Sequence, residues 1–302
     1  MKTLTLIFAV LAAAVAGRAD GLKQNLVPAD ARWLLHLDGD AFRKSRIGAM
    51  IVEEKGDAKI KELEAETKQD FDFSFKKIKA ITVFGPKVGE EDNGVMLLQT
   101  TADVAKDLEK LTNMKAAAGG SADPGVSRIT IDGNDAYTVG KDLNLMAAGA
   151  DTWVLSKNRA SMLSARNVAM GKAAALKNAA FLEYPTVTNS FFFLAFADAS
   201  GVDKLPAQAQ ILKKADGGRI VMGESGDKVF LDISLKSKDN DALAQIKQVV
   251  QGLIAIVSLS QGENKDLMAL ANSAAVSSTN QMVSLSLSFP LDRAMKKVRE
   301  QE

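Results

Sequence analysis

The sequence predicts an α+β fold, an antiparallel sheet with helices packed on one face, and three features carry that expectation. Several segments alternate apolar and polar residues, the mark of a strand with one buried side. Val229, Leu231, Ile233 and Leu235 interleave with Phe230, Asp232, Ser234 and Lys236; Val283, Leu285, Leu287 and Phe289 interleave with Ser284, Ser286 and Ser288. Short turns join such segments: Asp132-Gly133-Asn134-Asp135 and Glu224-Ser225-Gly226-Asp227 hold residue types that accept the positive φ of hairpins. Between them runs helical periodicity. Residues 241–259 place Leu243, Ile246, Val250, Leu253 and Val257 on one stripe, widened by Val249, Ile254 and Ile256.

The chain opens on a segment that reads as a secretory signal. Lys2 supplies the positive start, Leu4 to Val15 form an apolar core, and small residues follow at Ala14-Val15-Ala16 and Gly17-Arg18-Ala19. Cleavage is expected after Ala19, where the chain turns polar at Asp20, with Ala16 the second choice. The expected address is periplasmic or secreted, with no integral membrane segment after cleavage. There is no cysteine, which excludes a lipid on an N-terminal Cys, disulfides, thiolate metal sites and thiol nucleophiles. Lys and Arg number 38 against 37 Asp and Glu over 302 residues, and removing residues 1–19 takes away only Lys2 and Arg18. A balance so near zero, with no basic cluster, argues against nucleic acid as a partner.

From residue 29 onward the elements fall into an order that occurs twice. Leu34–Asp38 and Phe192–Asp198 are strands ending in Asp. Strands at 78–84 and 95–100 answer to 218–223 and 230–235, and helices at 102–111 and 241–259 follow each pair. Strands at 152–156 and 282–289 then run into helices at 158–170 and 290–300. Two similar modules in tandem, 29–172 and 173–302, would explain this order; one domain with repetitive strand-helix traffic is the alternative. A further helix is expected at 57–68, and residues 115–125 read as a loop.

The stretch Leu26-Val27-Pro28-Ala29-Asp30-Ala31, followed by Leu34-Leu35-His36-Leu37-Asp38, resembles a family of exported bacterial proteins of uncharacterised function. Members have a signal peptide, a V-P-A-D-A opening, a strand ending in Asp, and then a helix. Phe73 to Gly85 is similar to that family's second recurring stretch. The resemblance implies compartment and architecture, and brings no activity or catalytic residue.

Candidate chemistry is sparse. His36 is the single histidine, so a zinc site built on several imidazoles has no support, and no G-x-S-x-G elbow accompanies it for a serine triad. Within Asp38-Gly39-Asp40 the two carboxylates are the weak candidates for acid–base work, with a helix start as the competing explanation: Asp40 capping a helix that begins at Ala41-Phe42. Asp198, before Ser200-Gly201, occupies the matching point of the second half. The acidic run Glu90-Glu91-Asp92-Asn93-Gly94 lacks the spacing of a calcium loop, and no phosphate-binding glycine motif occurs, so no cofactor or metal is expected. Phe191-Phe192-Phe193 with Phe196 suits a doubly covered strand or the lining of an apolar pocket. The leading expectation is a non-enzymatic envelope protein that binds an unidentified protein or small ligand. The alternatives are a carboxylate-dependent hydrolase using Asp38 or Asp40, and a carrier of an apolar ligand held between the sheet and helix 241–259.

Overall fold

Strand β1 (Trp33–Asp38) is covered on both of its faces. In the computed structural model it pairs antiparallel with β2 (Ile78–Gly85) on one edge and β8 (Ser190–Phe196) on the other, Leu35 lying opposite Val83 and Leu194. The structure describes residues 21–56, 61, 75–87, 93–101, 126–140, 142–177, 179–184, 187–197, 213–259, 265–279 and 281–300. The helix expected at 57–68 apart from Lys61, the helix expected at 102–111, the acidic turn at 90–94 apart from its last two residues, the loop 115–125 and Asp198 lie outside them.

Twelve antiparallel strands make one sheet in the order β11-β12-β10-β9-β8-β1-β2-β3-β7-β6-β5-β4. The remaining strands are β3 (Val95–Thr100), β4 (Val126–Ile131), β5 (Asn134–Val139), β6 (Leu143–Ala147), β7 (Thr152–Ser156), β9 (Gly217–Ser225), β10 (Lys228–Lys236), β11 (Ala275–Ser278) and β12 (Met282–Pro290). The described α-helices are α1 (Gly39–Lys44), α2 (Arg46–Ile51), α3 (Arg159–Ala169), α4 (Asn240–Leu259), α5 (Lys265–Ser273) and α6 (Leu291–Glu300). Read outward from the β1/β8 pair, the order β1-β2-β3-β7-β6 is matched by β8-β9-β10-β12-β11. The helices that follow β7 and β12 nevertheless cover opposite faces: α3 packs Met162 and Ala165 beside Leu34, while α6 packs Met295 and Val298 beside Leu37.

Two cores follow from the two-residue period of the strands. Leu34, Phe84, Leu97, Phe193, Ala195 and Val221 face α3 and the chain segments around Val27 and Leu176. Leu35, Leu37, Ile81, Phe192, Ile220 and Met222 face α1, α2 and α6. Register carries this second face outward, since Ile220 pairs with Ile233 and Leu235 pairs with Val283, and there α4 sets down Leu243 and Ile246. The expected arrangement of helices on one face of an antiparallel sheet therefore describes α1, α2, α4 and α6, with α3 crossing the other face. An irregularity in β8 between Ser190 and Phe192 explains the phenylalanine run. The extra residue puts Phe191 and Phe192 on the same side, Phe191 meets Phe42 at 5.1 Å between ring centroids, and Phe193 turns to the opposite core.

Turns behave as their composition requires. Asp132 and Gly133 have φ of 50° and 72° and close the β4–β5 hairpin in two residues. Gly223 is needed for a different reason. A Cβ there would lie 2.3 Å from the Asn189 carbonyl oxygen and 2.6 Å from Ser190 Cα, where the chain enters β8 and neither atom can give way. Gly223→Ala is expected to lower stability by about 2 kcal/mol or more, as overpacked cores do, whereas Gly252→Ala in α4, with nothing within 4 Å of the new methyl, should raise it by about 0.5–1 kcal/mol through helix propensity. Urea midpoints at unchanged slope report both.

Candidate functional site

The β1–α1 corner gathers all three residues singled out by their chemistry, and gives each a separate task. His36 points to the α3 face with Leu34, fully buried, and its Nδ1 lies 2.9 Å from Thr82 Oγ1 of the neighbouring strand. Its Nε2 has no hydrogen-bond partner among the described residues. Burial draws its pKa down to about 4, against a smaller opposing pull from Asp38, so the imidazole is neutral at pH 7.

Asp38 is the N-cap of α1, its Oδ1 accepting from the Ala41 amide at 2.9 Å. The cap expected at Asp40 is thus displaced by two residues, because the chain turns helical directly at Gly39. Gly39 makes that early turn feasible: a Cβ there would fall 2.6 Å from the Ile78 carbonyl oxygen. Asp40 sits in the first helical turn, largely exposed, and accepts from Arg43 Nη2 at 2.5 Å while Arg43 Nη1 donates to the Ile78 carbonyl at 2.6 Å. The two carboxylates therefore part company, Asp38 turning towards His36 and Asp40 outward to Arg43. Helix capping and an ion pair account for both, and the geometry lends the hydrolase alternative no support.

A second polar cluster escaped sequence reasoning. Tyr184 is flanked by two cations, with Arg219 Cζ at 4.8 Å and Lys236 Nζ at 4.2 Å from its ring centroid, and Lys236 also donates to the Glu183 carbonyl. Burial raises the phenol pKa to about 12 and lowers that of Arg219, whose side chain is almost wholly enclosed in β9. Three elements far apart in sequence supply these groups, and no local spacing announces them. Cation–π contacts of this kind hold a loop onto a sheet. Beside them the serine row is partly tied: Ser284 shares a 3.1 Å hydrogen bond with Ser234 on β10.

Helix α4 departs from the expectation that it lies along its own sheet. Ala242, Leu243 and Ile246 in its first two turns are buried, and the rest of the helix has no fully buried side chain. Leu253, Ile256 and Leu259 are 44%, 64% and 77% exposed, and Leu267 on α5, which runs beside α4, is 50% exposed. The space between the first turns and the sheet is filled by Leu243, Ile246, Leu235, Val250, Val276 and Val283. Elsewhere, a shallow groove of about 580 Å³ runs past the end of α3, between Asn25, Met170, Gly171, Ala174 and Lys177.

No family model and no curated protein matches the chain. Solved structures of TP0453 are similar in fold: crystal form III has a TM-score of 0.50 at 10% identity over 92% of this chain and 97% of that one. Crystal form IV has a TM-score of 0.50 at 12% identity over 91% of this chain and 95% of that one.

His36 sets a pH dependence. Its pKa in the folded chain, about 4, lies below the ordinary 6.5, so between those values the unfolded chain binds a proton that the folded chain refuses. Stability from this group is complete above pH 6.5 and is lost as pH falls through about 4, a span of about 3 kcal/mol. Urea unfolding between pH 7.5 and 4 should show that loss, and His36→Gln should flatten it. An imidazole signal titrating near 6.5 in the folded protein would contradict the burial.

Proposed function

We propose that the chain is an exported, non-enzymatic envelope protein that binds a lipid surface peripherally through the exposed half of α4 and the adjoining α5. Export rests on the leader at residues 1–19, and the working surface rests on one observation: the second half of α4 has no fully buried side chain and leaves Leu253, Ile256 and Leu259 exposed. Between Lys247 and Glu263 the sequence holds no charged residue. A soluble protein does not expose such a helix without use for it.

The physical character of the projection favours lipid over a protein partner. An uncharged run of this kind enters the hydrocarbon edge of a bilayer without desolvating any charge. Four partly exposed side chains also offer far less than the roughly 800 Å² per partner that a stable protein interface buries. Spanning is a different matter. The helix is twenty residues long, and an 18-residue window of it has a mean hydropathy of 1.5, enough to cross by length and composition, but Leu243 and Ile246 tie the first turns to the sheet, so only the free half can enter the interface. The carrier alternative loses ground because the interior between α4 and the sheet is filled by side chains.

The mature protein is expected to co-sediment with neutral phosphatidylcholine vesicles, with little dependence on salt because the inserted segment is uncharged. Replacing Leu253, Ile256 and Leu259 together by Asn should weaken the partition by about 100-fold, at about 1 kcal/mol for each partly exposed side chain, with the fold unchanged by circular dichroism. Failure of the unaltered protein to bind vesicles overturns the proposal. So does a dimer in solution that the triple variant dissociates, which would reassign the surface to self-association.

A further inference from the structure

Where α5 approaches α6, two cations share one carboxylate. Lys297 Nζ lies 2.8 Å from Asp266 Oδ2, and Arg293 Nη1 lies 3.8 Å from its Oδ1. Asp266 is largely covered, whereas both cations keep about half of their side chains in solvent. The hydrogen bond from Lys297 to Asp266 raises the ammonium pKa above its ordinary value, so the charge persists across the neutral range. Lys265, the residue before Asp266, is exposed. Next along α6, Lys296 and Glu300 pair with each other at 3.6 Å. Among the described residues of this notch, Lys265, Arg293 and Lys297 therefore stand against Asp266 and Asp292. The balance is positive.

This notch stands beside the exposed apolar surface. Helix α5 packs on α4, and Leu267, next to Asp266, is exposed. Lys265 follows Leu259 by six positions, which holds their Cα atoms within about 20 Å of each other. A bilayer edge that receives Leu259 and Leu267 brings its phosphate layer near these cations, whose long apolar stems let the charged heads rise to it. We propose that Arg293, Lys297 and Lys265 form a seat for the phosphodiester of an anionic phospholipid, which makes attachment through α4 selective for anionic membranes. The paired N–H groups of the guanidinium match two phosphate oxygens, and the ammonium heads act as point charges beside it. Asp266 restrains the seat, since it holds Arg293 and Lys297 in place and competes with phosphate for them. A lipid fits better than a free anion, because exposed cations hold one dissolved phosphate weakly whereas a membrane presents many on one plane. The seat rests on α4 entering a bilayer.

Co-sedimentation separates this inference from the reading beneath it. The mature protein is compared on vesicles of phosphatidylcholine alone and of phosphatidylcholine mixed with phosphatidylglycerol, at low and at high salt. Partition to the anionic vesicles is expected to be stronger by about 5-fold for each cation that no acid matches. High salt should remove that excess and leave binding to phosphatidylcholine in place. With Lys265→Gln, Arg293→Gln and Lys297→Gln combined, the excess should vanish. Asp266→Asn tells a lipid seat from a structural tie: it loosens the α5–α6 contact, yet should strengthen binding to anionic vesicles by about 5-fold. Inorganic phosphate should release no more protein from them than chloride of equal ionic strength. Equal partition to both vesicles, weaker anionic binding by Asp266→Asn, or specific release by inorganic phosphate would overturn the seat while attachment through α4 stands. Absence of binding to either composition removes the attachment itself, and the seat with it.

Discussion

Everything in this molecule leans on β1 being buried from both sides. It is the strand at which the two halves of the sheet meet, and its alternate residues feed different cores, Leu34 into one and Leu35 and Leu37 into the other. A chain without disulfides draws its stability from such burial, and each core closes only when helices from distant parts of the sequence arrive. The helices α1 and α2 come from the connection next along the chain; α6 comes from the far end and is tied back by Arg299, whose guanidinium grips Glu54 at 2.6 and 2.8 Å. That pair is exposed and adds little energy, so its role is to fix where the last helix lies.

The corner where β1 becomes α1 shows how a polar group can be carried into such an interior. His36 takes a position that alternation would give to an apolar residue, and it stays neutral because burial penalises the imidazolium. One ring nitrogen is satisfied across the ladder by Thr82; the other faces the incoming chain. Asp38, two residues on, supplies the negative end that the α1 amides need. Catalytic residue types thus appear in the sequence for reasons of capping and packing, and their proximity comes from a strand-to-helix turn.

Helix α4 presents the opposite case, apolar residues placed where there is no core to receive them. Its opening turns obey the usual stripe and cover Leu235 and Val283. Beyond them no side chain of the helix is fully buried, and Leu253, Ile256 and Leu259 face solvent. A packing surface and a docking surface are written in the same residue types, and the boundary between them is set by where the sheet ends.

Much of the fold was legible in the sequence because backbone period and turn chemistry are local. The alternation at 229–236 and 283–289, the Asp132-Gly133 turn and the helix expected at 158–170 follow from residues within a few positions of one another. The repeated strand order was visible for the same reason. What only the tertiary structure decided involves distance along the chain: that α3 and α6 cover opposite faces, that the cap belongs to Asp38 and the outward ion pair to Asp40, that Tyr184 meets Arg219 and Lys236, and that Leu253, Ile256 and Leu259 of α4 are left exposed. Hydrophobic burial is non-directional, so an apolar stripe states that it will be covered without stating by what. The answer depends on which surfaces the completed sheet brings within reach.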